Sequence, residues 1–261
     1  MTYPLNILMF GDVVGDSGCQ AVRTCLPQLK QQYQPALVIV NGENSAQGNG
    51  ILPASANHLF DSGVDVITTG NHVFRRREIY EMLREEKGVL RPANYPAATP
   101  GSGVFIVDLL KTKIAVINLM GTVQLEPLRN PFDVIDEILA ALDTPLIILD
   151  FHAEATSEKR AMGFFLDGRV SVVAGTHTHV QTADEQILPN QTAYITDLGM
   201  CGPLQSVLGI TPAQVIERFR TAMPTRFENA PGEKLLNAIA VSIDETTGRA
   251  KSIERISRII R

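Results

Sequence analysis

Short apolar runs, each ending in a polar cluster, recur through most of this 261-residue chain, and that pattern restricts the fold more than any other feature. Leu5–Phe10 (LNILMF) leads into Gly11-Asp12, Leu37–Val40 into Asn41-Gly42-Glu43-Asn44, and Val64–Thr68 into Gly70-Asn71-His72. Leu146–Phe151 leads into His152, and Val170–Ala174 into Gly175-Thr176-His177-Thr178-His179. With Ile114–Leu119, these runs are short enough to read as buried strands. Between them, Cys19/Val22/Leu26/Leu29, Ile79/Met82/Leu83 and Val134/Ile138/Leu142 recur at helical spacing. Such alternation predicts right-handed crossovers and a mostly parallel sheet.

The last part of the chain changes character. Leu235–Ile243 and Ala250–Ile259, joined around Thr247-Gly248, predict a β-hairpin, and Gly103–Asp108 with Lys113–Leu119 suggests another. Two sheets packed face to face with helices outside therefore fit better than one doubly wound sheet. Pro131 delivers a helix over Asp133–Leu142, and Thr211-Pro212 supplies an N-cap with a proline at N1; Glu154, Thr156, Ser157 and Glu158, which follow His152, read either as further site residues or, over Ser157–Leu166, as a capped helix. No repeat or linker divides the chain, so residues 1–261 are expected to form a single domain. The stretch 88–103 (GVLRPANYPAATPGSG) is expected to be a functional loop.

Strand ends converge in open α/β sheets, which brings distant polar residues into one crevice. Four of the five histidines stand in these strand-end clusters; His58 lies in a helical pattern and is expected at the surface. Each cluster alone admits a plainer reading. Asp12 would serve as a helix cap, Asn44 and Asn71 as turn residues, and His152 as a hydrogen-bonded structural histidine. His177 and His179, two apart, would face one side of an extended segment. Taken together, three imidazoles, two carboxylates and two amides at successive strand ends point to a two-metal hydrolytic centre. Such a centre needs a bridging carboxylate, further nitrogen and oxygen ligands, and one unmetallated proton donor. His72, directly after Asn71, is the candidate donor.

The series Asp12, Gly42-Glu43-Asn44, Gly70-Asn71-His72, His152 and Gly175-Thr176-His177-Thr178-His179 resembles the calcineurin-like metallophosphoesterases. GDVVG, NGENSAQGNGI, TTGNHVF, RPANYP, DFHAEATSEKRAMG and AGTHTHVQTAD narrow the likeness to the bacterial YmdB-like branch, along essentially the whole chain. The resemblance implies a four-layer α/β/β/α sandwich. It implies that Glu43 bridges two metals, with Asp12, Asn44 and His179 completing one shell and Asn71, His152 and His177 the other. It further implies attack by a hydroxide between the metals, with His72 as general acid. Two departures from the wider superfamily stand out: Val14 occupies the place of a histidine ligand, and Glu43 that of the usual bridging aspartate. One nitrogen among several oxygens around the Asp12 metal favours Mn or Fe, with Mg or Zn as alternatives.

The implied activity is hydrolysis of a small phosphodiester, with 2′,3′- or 3′,5′-cyclic AMP as family substrates. Alternatives are a phosphomonoesterase or RNA-directed nuclease with the same metals, or a metal-stabilised nucleotide- or RNA-binding regulator. A net charge of -5 argues against extended duplex nucleic-acid binding. Arg75-Arg76-Arg77 reads either as a phosphate attractor or as a solvated helix start, and Asn118 and Gly121 as pocket lining or a turn. No GxSxG elbow or P-loop occurs. Three scattered cysteines without a CxxC, and an apolar N-terminal run too short to span a bilayer, place the protein in the cytoplasm and off the membrane. Oligomeric state stays open, a homo-oligomer included.

Overall fold

The computed structural model describes residues 4–261. In chain order the elements are β1 (Leu5–Val13), α1 (Gly15–Tyr33), β2 (Leu37–Asn41), α2 (Pro53–Asp61), β3 (Val66–Thr68), α3 (Tyr80–Arg84, entered through a 3-10 turn), β4 (Val104–Asp108) and β5 (Lys113–Met120). There follow α4 (Pro131–Ala141), β6 (Ile147–His152), α5 (Thr156–Phe165), β7 (Val172–Thr176), β8 (Gln186–Ile187), β9 (Ala193–Ile195), β10 (Met200–Pro203), α6 (Pro212–Thr221), β11 (Lys234–Ile243) and β12 (Ala250–Ile260). Two six-stranded sheets result, ordered β12-β11-β10-β1-β2-β3 and β4-β5-β6-β7-β9-β8. β1, β2, β3 and β10 run parallel in the first, and β5, β6, β7 and β9 in the second. The expected hairpins β4–β5 and β11–β12 are antiparallel additions.

The layers follow from side-chain alternation along the strands. Ile7, Met9, Leu37, Ile39 and Val66 of the first sheet meet Val116, Ile148, Val172 and Ala174 of the second in a core between the sheets. The other face of the first sheet (Leu8, Phe10, Val38, Val40) packs on Leu26 and Leu29 of α1, Leu59 of α2 and Leu83 of α3. Ile117, Leu149, Phe151 and Val173 turn outward from the second sheet onto Val134 and Ile135 of α4 and Met162 of α5. Three apolar layers between four structural ones make an α/β/β/α sandwich.

At the strand ends the inter-sheet core turns polar. The alternation that buries Ile148 carries on to Asp150 and His152, and that of Leu37 and Ile39 to Asn41. Asp12 caps no helix: β1 continues through Val13, and the N-cap of α1 is Val14, which makes no side-chain cap bond. A register shift between Phe10 and Asp12 re-aims the strand there. Gly11 permits it, since a Cβ would fall 1.9 Å from the Gly199 carbonyl oxygen. Thr211 precedes α6 as expected, but its hydroxyl donates to the Glu228 carbonyl instead of capping. Asn118 is neither pocket lining nor a turn; it lies buried in β5 and accepts the Thr69 amide at 2.9 Å across the sheets.

Candidate metal centre

The eight residues singled out from the sequence gather at one end of the sandwich, where the parallel strands of both sheets terminate. His152 is the hub. Its Nε2 lies 3.0 Å from His177 Nδ1, 3.1 Å from Asn71 Oδ1 and 3.3 Å from Glu43 Oε1. Donor atoms of Glu43, His152 and His177 all fall within 4.8 Å of one another. A second grouping lies beside the first: His179 Nε2 is 3.2 Å from the Asn44 amide and 3.8 Å from Asp12 Oδ1. Glu43 adjoins both, accepting from Asn44 Nδ2 at 3.1 Å and from the His72 amide at 3.0 Å.

Each imidazole is held from behind. His152 Nδ1 meets Thr176 Oγ1 at 2.9 Å, and that hydroxyl donates to Asp150 Oδ1 at 2.7 Å. With its proton so committed, Thr176 accepts from Nδ1–H and leaves the His152 Nε2 lone pair facing the cluster. His177 Nε2 contacts Glu154 Oε2 at 3.0 Å, which turns Nδ1 inward. His179 Nδ1 meets the Leu208 carbonyl at 3.2 Å, which turns Nε2 inward. Partners of this kind fix ring orientation and ligand basicity at metal sites.

Two inward nitrogens 3.0 Å apart, His152 Nε2 and His177 Nδ1, need a proton or a cation between them. The electrostatics agree. Burial, the largest single influence, would lower the pKa of His152, but the carboxylates of Glu43, Asp12 and Asp150 together outweigh it and raise the value to about 9. Burial and then the His152 charge lower His177 to about 3. Burial alone would raise Glu43, yet His152 and His72 bring it down to about 2. Burial pushes Asp12 up to about 6, and its Oδ1 is a buried acceptor with no partner. Convergent lone pairs and an orphaned carboxylate oxygen fit divalent cations. Asn44 fits on one condition. Its Oδ1 now faces His72 Nδ1 at 2.7 Å, while the non-ligating Nδ2 faces His179, so a half-turn of the amide is needed to present oxygen to a cation there.

The HTH segment is not extended. His177 and His179 take positive φ values of 103° and 65°, so the two rings serve different groupings. β7 ends at Thr176, and Asp197 seizes the next turn, accepting the Thr178 amide at 3.0 Å and hydroxyl at 2.7 Å. Lys159 of α5 neutralises Asp197 at 2.7 Å, fully buried. Sequence reasoning missed Asp150, Thr176 as a bonding partner, Glu154 as a contact of His177, and the Lys159–Asp197 pair. An aspartate two residues before His152 in an apolar run was the available signal, because i and i+2 share a strand face.

The remaining candidates fall outside the cluster. Arg75 and Arg77 are exposed, and Arg76 donates to the Asn49 carbonyl at 3.1 Å, which fits the solvated reading. His58 is half-buried on α2, not free at the surface, and its Nε2 has no partner. The stretch 88–103 runs beside β5, where the Asn94 side chain bonds both the amide and the carbonyl of Met120. Its Tyr95 packs edge-on against Phe74, 5.1 Å between centroids, on the segment that follows His72.

Fold and crevice together define a metallophosphoesterase-type sandwich. The likeness extends to a crystal structure of a candidate 5′-nucleotidase from Staphylococcus aureus, with TM-score 0.63 and 16% identity over 96% of this chain and 54% of that one. Residues 8–256 match the YmdB-like protein family, and the chain belongs to it. A Bacillus subtilis relative named 2′,3′-cyclic-nucleotide 2′-phosphodiesterase is 48% identical over 97% of this chain and 96% of its own. The crystal structure of a novel phosphatase from Mycoplasma pneumoniae superposes with TM-score 0.94 at 37% identity, covering 100% of this chain and 95% of the other. Among the described residues no helix is long and apolar enough to cross a membrane.

Proposed function

We propose that this chain is a two-cation phosphodiesterase that opens 2′,3′-cyclic nucleotides at the 2′ oxygen. The observation that carries the reading is the convergence of Asp12, Glu43, Asn71, His152, His177 and His179 on one crevice with inward lone pairs, joined by Asn44 once its amide turns. The name of the Bacillus subtilis relative supplies the substrate class and the bond. Glu43 adjoins both groupings and would be the shared ligand; Asp12, Asn44 and His179 would hold one cation, and Asn71, His152 and His177 the other. Mn or Fe suits the oxygen-rich Asp12 grouping. When bound, the cations supply the positive charge that acidifies the attacking water and offsets charge on the phosphoryl oxygens.

The chain's own residues do the rest. His72 lies at the crevice mouth, 28% exposed at its side chain, outside the cluster around His152. Burial lowers its pKa, and Glu43 at 3.5 Å opposes that. To act as the acid His72 must be the imidazolium, with its Nδ1 proton toward Glu43 Oε1, 3.5 Å away, and its second proton on Nε2. Water forms the new bond to phosphorus and sheds a proton, the bond to O2′ breaks, and imidazolium His72 gives its Nε2 proton to O2′ as it leaves, ending as the neutral ring that takes up a proton again before the next turnover. The product is a nucleoside 3′-monophosphate. The three free cysteines, Cys19, Cys25 and Cys201, suit a cytoplasmic setting.

The testing experiment compares bis(p-nitrophenyl) phosphate with p-nitrophenyl phosphate in Mn2+-loaded protein, alongside Glu43→Gln. Higher kcat/KM for the diester, with activity lost in the variant, is expected. A preference for the monoester moves the chain to the phosphomonoesterase reading, and full activity in Glu43→Gln or in demetallated protein removes the two-cation mechanism.

A further inference from the structure

Directly beneath the cluster lies a buried carboxylate outside the set of candidate ligands. Asp150 sits in β6 at 1% exposure, at the level where the inter-sheet core turns polar. Neutral donors fill its oxygens: Thr68 Oγ1 and Asn41 Nδ2, the latter at 3.1 Å, reach Oδ2, and Thr176 Oγ1 reaches Oδ1 at 2.7 Å. The placement of these donors matters more than their number. Asn41 closes β2 two residues before Glu43, and Thr68 closes β3 three residues before Asn71. Thr176 closes β7 one residue before His177, and Asp150 itself precedes His152 by two. One carboxylate therefore ties together, across both sheets, the strand ends that carry Glu43, Asn71, His152 and His177.

Its hydrogen-bond chain also has a direction. Asp150 accepts the Thr176 proton, so Thr176 accepts from His152 Nδ1 at 2.9 Å, and His152 is left with Nε2 toward the cluster. His179 is held separately, by the Leu208 carbonyl at 3.2 Å. Resting on the two-cation reading, we propose that Asp150, acting through Thr176, is a positioning residue that presents His152 Nε2 to one cation position, the Asn71/His152/His177 position. The Asp12/Asn44/His179 position is left untouched.

The test is Mn2+ titration of the metal-free protein, followed by electron paramagnetic resonance. Wild type takes up two Mn2+ per chain and shows an exchange-coupled signal. Thr176→Val keeps the side-chain shape but removes the hydroxyl. It should weaken one Mn2+ roughly 10–100-fold, the range for loss of such a partner, and leave the other as an uncoupled six-line signal. Thr176→Ser should restore both, and Asp150→Asn should repeat the selective loss. In metal-free protein with 15N-labelled histidine, the hydrogen-bonded Nδ1–H signal of His152 should disappear in Thr176→Val. Unchanged affinities in Thr176→Val, equal weakening of both positions, or failure of Thr176→Ser to restore binding would each overturn the proposal. Fewer than two Mn2+ in wild type would sink the two-cation reading itself, and the positioning role with it.

Discussion

Removing the two ends of the Lys159–Asp197 pair should have unequal consequences. Both side chains are almost wholly buried, with Nζ 2.7 Å from Oδ2. In Lys159→Met, Asp197 keeps three donors: the Thr178 amide at 3.0 Å, the Thr178 hydroxyl at 2.7 Å and the Gly199 amide at 2.8 Å. The loss is then close to one charge-assisted hydrogen bond, about 1.5–3 kcal/mol. In Asp197→Ala a buried ammonium loses its acceptor, a change that costs about 3–5 kcal/mol, and three further donors are orphaned. Because Thr178 stands between His177 and His179, this variant should also lose metal, whereas Lys159→Met should retain most of it. Urea unfolding in EDTA isolates the pair, since bound metal would add its own stabilisation. A Lys159→Met variant as unstable as Asp197→Ala, or an Asp197→Ala variant within about 0.5 kcal/mol of wild type, as at an uninvolved surface site, would refute the reasoning.

His72→Ala should retain both metals yet lose roughly 10²–10⁴-fold in turnover of alkyl diesters. Aryl esters, whose leaving oxygen hardly needs a proton, should suffer far less; metal loss measured by elemental analysis would make His72 a ligand. Gly70→Ala should lose metal at nearly constant fold, because its Cβ would fall 2.1 Å from His152 Cδ2; wild-type metal content would contradict that clash. In metal-free protein the raised pKa of His152, about 9, means its contribution is fully present below about 6.5 and is lost as pH rises through 9. Apoprotein Tm should therefore fall across that window, and Mn2+ should abolish the fall; a flat apoprotein profile would count against the Glu43–His152 interaction.

The strand ends were legible because each apolar run stops where its polar residues begin, so Asp12, Glu43, Asn71, His152 and His177 could be placed without any long-range information. Both hairpins were legible from their alternation. The short strands β8, β9 and β10 were not: two to four residues carry no periodicity, and β10 exists because β1 and β11 flank it. Local rules failed at Thr211, where a caps-the-helix residue finds a better acceptor in Glu228. They failed again at His177-Thr178-His179, where capture of Thr178 by Asp197 twists an apparently extended pair into positive φ. Asp150 escaped notice because an acid inside LIILDF gains its meaning only from Thr68, Asn41 and Thr176, three strands that the sequence cannot bring together by itself.

The measurement that bears most directly on the proposed activity is 31P NMR of 2′,3′-cyclic AMP incubated with Mn2+-loaded protein. The account predicts conversion of the cyclic resonance into that of 3′-AMP alone, with no inorganic phosphate, and no reaction with the Glu43→Gln variant. An untouched cyclic resonance, together with phosphate release when 2′-AMP or 3′-AMP is supplied, would contradict it.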